Sequence, residues 1–163
     1  MNTEIEKLEA AIAAANEKLA ELKAAGATHA EKAWPQVGDT YFFVDGDGDV
    51  VESQWDSYLI DASRMNIGNV FRTVAEAKHE IDRRKVLTEL RQLARKSWGG
   101  GKVDWSNIAQ GKWYLFCDHS EQVWRIDYGS ACQRQGAIYF ATREAAQAAI
   151  ETIGADRLML LED

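Results

Sequence analysis

Gly38-Asp-Thr-Tyr-Phe-Phe-Val-Asp45 is answered further along the chain by Gly111-Lys-Trp-Tyr-Leu-Phe-Cys-Asp118. Tyr41 matches Tyr114, Phe43 matches Phe116 and Asp45 matches Asp118. Both stretches are rich in the aromatic residues that favour strands. Each runs into a polar turn, Gly46-Asp-Gly-Asp49 or His119-Ser-Glu-Gln122, and then a return strand carrying Trp55 or Trp124. Val70-Phe71-Arg-Thr73 then matches Tyr139-Phe140-Ala-Thr142, and each leads into an Ala-containing helix that reaches Ile81 or Ile150. Strand, turn, strand and capped helix predict a small antiparallel sheet crossed by one helix, built twice. Thr73 with Glu76 forms a capping box, whereas Thr142 keeps only the N-cap.

Outside this pair, Ile5, Leu8, Ile12, Ala15, Leu19 and Leu22 recur at alternating spacings of three and four. That is a heptad seam with Ile5, Ile12 and Leu19 at a, and Leu8, Ala15 and Leu22 at d. Ile at a with Leu at d favours a parallel two-stranded coil. The expectation is a homodimer through Ile5, Leu8, Ile12, Leu19 and Leu22, with docking onto the chain's own second helix as the rival. The fold class is therefore α+β: an N-terminal coiled-coil helix followed by two related small antiparallel-sheet-plus-helix modules. Boundaries fall at 1–26 for the helix, 27–37 for a linker and 38–98 for the first module with its connector helix. A Gly-rich linker, 99–104, precedes the second module, 105–163.

The connector helix has two apolar faces. Val74, Ala77 and Ile81 lie on one side, and Val86, Leu87, Leu90, Leu93 and Ala94 lie nearly opposite. The expectation is one continuous helix with two clients, ending at Trp98-Gly99-Gly100-Gly101. From Arg83 to Lys102 it carries seven basic residues against the single acid Glu89, in a chain whose net charge is −7. Arg84, Lys85, Arg91, Arg95 and Lys96, with Trp98 and Lys102 at the edge, form the candidate surface for a partner or nucleic acid. The plainer account of the same charges is a solvated helix face, or one paired with the acidic N-terminal helix. Trp55, Trp113 and Trp124 are assigned to the sheet cores. Trp34, Trp98 and Trp105, beside the linkers, are expected to clamp the modules.

Composition and motifs exclude several classes. At 46% hydrophobic and 28% charged over 163 residues, the chain can bury a core. Its apolar runs fall far short of the ~20 residues needed to span a bilayer, and its acidic start is no signal peptide, which points to the cytoplasm. Asp45-x-Asp47-x-Asp49 with Ser53 and Asp56 imitates a calcium loop, but Val50 stands where that loop turns on Gly, so a hairpin turn is favoured. Gly99-Gly-Gly-Lys102 lacks the spacing of a phosphate loop, His79-Glu80 lacks a second histidine, and no Gly-x-Ser-x-Gly elbow occurs. Cys117 and Cys132 form no CxxC pair and are read as reduced thiols. The expectation is a non-enzyme with no cofactor and no metal site.

Trp34-Pro-x-x-Gly38-Asp-x-Tyr41-Phe-Phe-Val-Asp-x-Asp-Gly48 with Gly68-Asn69-x-Phe71-x-Thr73-x-x-Glu76-Ala77 resembles a module of small phage and prophage accessory proteins. Val123-Trp-Arg-Ile-Asp127, Ile138-Tyr139-Phe140-x-Thr142-x-Glu144-x-Ala146-x-x-Ala149-Ile150 and Gly154-Ala-Asp-Arg157-Leu158 look like its companion. The resemblance covers everything except the N-terminal helix and its linker. It implies a non-enzymatic binding protein that inhibits a host defence complex, in the manner of anti-CRISPR proteins acting on an effector nuclease in the bacterial cytoplasm. The partner it implies is a defence protein or protein–nucleic-acid complex. Direct nucleic-acid binding through the basic helix, and an oligomeric small-ligand sponge, are the alternatives.

Overall fold

A computed structural model describes residues 12, 14–18, 34–129 and 132–162. Its architecture is α+β, with two small antiparallel sheets and helices set against them. Strands β1 (Thr40–Val44) and β2 (Val50–Gln54) form a hairpin with Phe43 opposite Val51. The Asp45 carboxylate builds its turn by accepting from the backbone N–H groups of Asp47 and Asp49, at 3.0 and 2.9 Å. The calcium-like spacing is thus put to use as a hairpin turn, with Gly48 at φ 89°.

Helix α1 (Leu59–Asn66) covers one face of this hairpin. Tyr41 donates to Asp61 Oδ1 at 2.8 Å, and the Arg64 guanidinium lies 3.5 Å from the Phe43 ring centre. Helix α2 (Val74–Ser97) covers the other face, where Phe42 shares a groove with Val74 and Ile81. An isolated antiparallel bridge pairs Phe42 with Phe71, just before α2 begins.

The second sheet has the order β4-β3-β5, from β3 (Trp113–Asp118), β4 (Val123–Tyr128) and β5 (Tyr139–Phe140). Helix α3 (Arg143–Ile153) follows, then the short α4 (Ala155–Leu158) and a 3-10 turn, Met159–Leu161. Ala146 and Ala149 are small enough to bring α3 close to its neighbours. Ile153, Leu158 and Phe140 complete a core with Val86, Leu90 and Ala94 of α2. Full burial of each larger side chain here contributes about 1.5–3 kcal/mol.

Helix α2 runs unbroken through Arg83-Arg84-Lys85, and its two apolar faces serve two sheets as their spacing predicts. Its second half belongs to the core of the C-terminal sheet, so that core crosses the expected boundary at residue 98. The match between the return-strand tryptophans does not hold in register. Trp124 pairs with Cys117 near the turn, whereas Trp55 lies past the end of β2, its backbone N–H donating to the Asp39 carbonyl at 2.8 Å. The pairing of the later strand differs too. Phe71 sits opposite the residue after Tyr41, and Phe140 opposite the residue before Tyr114.

Ile5, Leu8, Leu19 and Leu22 of the heptad seam lie outside the described residues. Ile12 is described: it is helical and 60% exposed. Among the described residues no helix is long and apolar enough to cross a membrane.

Candidate functional site

The basic segment divides along α2. Near its middle, Glu80 binds Arg83 at 2.6 Å and Arg84 at 2.7 Å, and Asp82 binds Lys85 at 3.2 Å. The i,i+3 and i,i+4 spacing places each acid one turn before its cation. The hydrogen bond from Arg83 holds the Glu80 carboxyl below its ordinary value, and Glu80 in turn raises Arg83. Glu80 and Asp82 thus engage Arg83, Arg84 and Lys85, two carboxylates offsetting most of the charge of three cations.

The C-terminal part is different. Arg91, Arg95, Lys96 and Lys102 are exposed and have no ion pair among the described residues. Arg95 and Lys96 also sit in the last turn, where cations complement the negative end of the helix dipole. Between Arg91, Arg95 and Lys102 opens a trough of about 590 Å³ floored by Ala94, Trp98, Val103 and Ile138. A second trough, about 540 Å³, shares Arg91 and Ile138 and extends past Leu87 to Tyr114 and Arg134. The two form a basic-rimmed apolar channel beside α2.

Its end is fixed by aromatic clamps. The Trp98 indole N–H donates to the Tyr139 carbonyl at 2.8 Å, and Ala141 N–H donates to Ser97 Oγ at 3.0 Å. Trp105 meets Tyr139 edge-on at 4.9 Å. Lys112, wholly buried, donates to the carbonyls of Asn107 and Gln110 at 2.8 and 3.0 Å. Gly99 and Gly100 take φ of 56° and 87°, which lets the chain leave α2 and double back to form the trough wall. Trp98 thus serves the internal clamp with its N–H and the trough with its ring. Trp34 instead lies under the Arg72 guanidinium at 5.1 Å, within the first sheet's part of the chain.

Arg91, Arg95, Trp98 and Lys102 come together as one site, and Lys96 stands beside them. Sequence reading missed Ile138, Val103 and Arg134. Arg134 and Ile138 reach the channel through the loop that leads into β5, and Val103 through the loop that leaves α2, and local periodicity gives no signal for either. An apolar floor with Arg91, Arg95 and Lys102 at its rim, none of them in an ion pair among the described residues, is suited to an extended anionic ligand with flat or apolar groups, such as a nucleic-acid strand or an acidic peptide. Compared with family models, with curated proteins and with solved structures, the chain matches none.

Proposed function

We propose that this chain is a non-enzymatic binding protein of the phage accessory kind, inhibiting a host defence complex by docking the basic end of α2 on it. One observation carries the reading: Arg91, Arg95 and Lys102 around the Trp98 trough, with Lys96 beside them on α2, have no ion pair among the described residues, in a chain of net charge −7. Uncompensated cations on one small face of an acidic protein favour an anionic partner and hasten its encounter. A defence nuclease bound to its guide RNA offers such a surface.

The reading includes two related modules. Support comes from Tyr41 and Tyr114, which donate to Asp61 and Asp127 at 2.8 and 2.5 Å with Arg64 and Arg134 close by. Thr73 and Thr142 likewise both cap their helices, accepting from Glu76 and Ala145 N–H at 3.1 Å. The reading also includes a dimer through the Ile5–Leu22 seam, and the exposed helical Ile12 supports it.

The test is a pull-down from bacterial lysate with the full chain, followed by a nuclease assay on what is captured. Enrichment of a defence nuclease, slowed by the wild type and not by an Arg91→Glu/Arg95→Glu variant, is expected. A captured nuclease that runs unslowed, or none captured at all, overturns inhibition. In the second case, binding of bare nucleic acid that weakens steeply with salt would assign the same surface to direct nucleic-acid contact.

A further inference from the structure

At the end of the second trough, away from Lys102, Cys117 and Glu162 of its lining meet two further side chains, His119 of the β3–β4 turn and Met159. Cys117 Sγ, a ring nitrogen of His119 and a carboxylate oxygen of Glu162 lie within 4.8 Å of one another. Within the group, His119 Nε2 is 3.1 Å from Glu162 Oε2, and Cys117 Sγ is 3.9 Å from Met159 Sδ. We propose that Cys117, His119, Met159 and Glu162 form a binding site for a thiophilic divalent transition metal, with zinc(II) as its ion.

The backbone explains why these four converge. Cys117 and His119 are two residues apart where β3 runs into its turn, and a spacing of two keeps side chains on one side of a strand. Met159 and Glu162 are three apart across a 3-10 turn, where residues i and i+3 eclipse. Each pair therefore presents two donors in one direction, and the packing of α4 and the 3-10 turn sets the pairs face to face. Asp118, between Cys117 and His119, does not compete, because it is held by Ser120 at 2.6 Å and Arg125 at 2.9 Å.

The separations suit a small tetrahedral ion. Zinc–ligand bonds of about 2.0–2.3 Å place neighbouring donor atoms roughly 3.5 Å apart; His119–Glu162 at 3.1 Å and Cys117–Met159 at 3.9 Å lie on either side of this, and Cys117, His119 and Glu162 all fall within 4.8 Å. The donor set selects the metal class: a thiolate, an imidazole and a thioether are poor ligands for calcium or magnesium and good ones for zinc. Charge points the same way. One thiolate and one carboxylate with two neutral donors balance a divalent ion, and leave a monovalent copper site with an unbalanced negative charge. On binding, the Cys117 S–H bond breaks and its proton passes to solvent. The hydrogen shared by His119 Nε2 and Glu162 Oε2 leaves as well, to solvent from a charged ring or by moving to Nδ1 in a neutral one, so that the Nε2 lone pair faces the metal and two metal bonds replace the hydrogen bond.

Cobalt(II) titration of the full chain tests this, because a thiolate on tetrahedral cobalt gives a near-ultraviolet charge-transfer band and intense visible d–d bands. The expected result is one equivalent of cobalt with both signatures, displaced by zinc and not by an excess of calcium. Cys117→Ser should abolish the charge-transfer band, whereas Cys132→Ser, at the other free cysteine, should leave it intact. His119→Ala removes a ligand whose side chain is 72% exposed, so the fold survives even if Cys117→Ser disturbs it. It should weaken cobalt binding by at least about tenfold, the loss already typical of disturbing a ligand's outer partners. No charge-transfer band at any cobalt concentration, a band lost with Cys132 rather than Cys117, or affinity indifferent to His119→Ala overturns the site.

Discussion

Tyr41 and Asp61 show how a single buried contact sets the stability of the first hairpin. Tyr41 is fully buried and Asp61 is only 2% exposed. The Asp61 carboxylate accepts from the Tyr41 hydroxyl and from the backbone N–H groups of Tyr58 and Asp56, at 2.8, 3.0 and 3.2 Å. Arg64 closes the group with a 2.7 Å bond to the Tyr41 oxygen. Tyr41→Phe removes the hydroxyl from both partners and is expected to cost about 1–2 kcal/mol in urea denaturation. The hydrogen bond from Tyr41, ahead of those from the backbone, lowers the Asp61 pKa from its ordinary 3.8. A lowered native pKa means stabilisation that is complete above the unfolded value and is lost as pH falls through the native one. The stability gap between wild type and Asp61→Asn should therefore be wide near pH 6 and narrow by about pH 3. A gap unchanged over that range would mean that the ionised carboxyl contributes nothing. Asp118 and Asp127 are lowered too, chiefly by hydrogen bonds from Ser120 and Tyr114, so the second sheet shares this sensitivity to acid.

At the scale of elements, capping and periodicity were readable where the signal is local. Thr142 caps α3 as its position before the Ala-containing run implies, and Thr142→Ala should cost about 1 kcal/mol in thermal or chemical unfolding. Leu90, on the second apolar face of α2, is 4% exposed, and Leu90→Ala should cost about 2–5 kcal/mol, several times the cap. A denaturation series that reverses this order would place Leu90 outside the core. Helix α1 was not legible. Leu59, Ile60 and Ile67 are exposed, so its apolar residues follow no buried stripe. Asp61 alone marks its start, and it does so by reaching back to the Tyr58 N–H. The apparent match of Trp55 with Trp124 failed for a related reason. Sequence similarity sees which residues occur, while register is set by turn length and by pairings along the whole hairpin. The basic segment was visible as charge. Its division into a middle paired with Glu80 and Asp82 and an end without ion pairs among the described residues appears only when side chains find their acids. The four-donor group at Cys117 lay beyond sequence reading because its two halves come from a strand turn and the chain's last turns.

Among the described residues, α2 is the one element packed against both sheets. Ala77 is buried at the first sheet, and Val86, Leu90 and Ala94 at the second. A rigid helix between them passes any loss of order at one end to the other, because ending the helix at its middle would leave a row of backbone groups unpaired. The two sheets should therefore unfold together, with far-ultraviolet dichroism and tryptophan fluorescence giving coincident transitions. Arg84→Pro tests the coupling at the helix midpoint. It removes one helical N–H, clashes with the preceding turn and costs roughly 3 kcal/mol or more. Arg84→Ala is the control, since it removes only a half-exposed ion pair with Glu80, worth about 0–1 kcal/mol. With Arg84→Pro the two probes should separate, and hydrogen exchange should protect β3 and α3 while β1 and α1 exchange sooner. The first sheet is the weaker side, because it has only two strands and one further bridge, whereas the second is joined by α3, α4 and the 3-10 turn. Two separated transitions already present in the wild type would show that α2 links the sheets without coupling them.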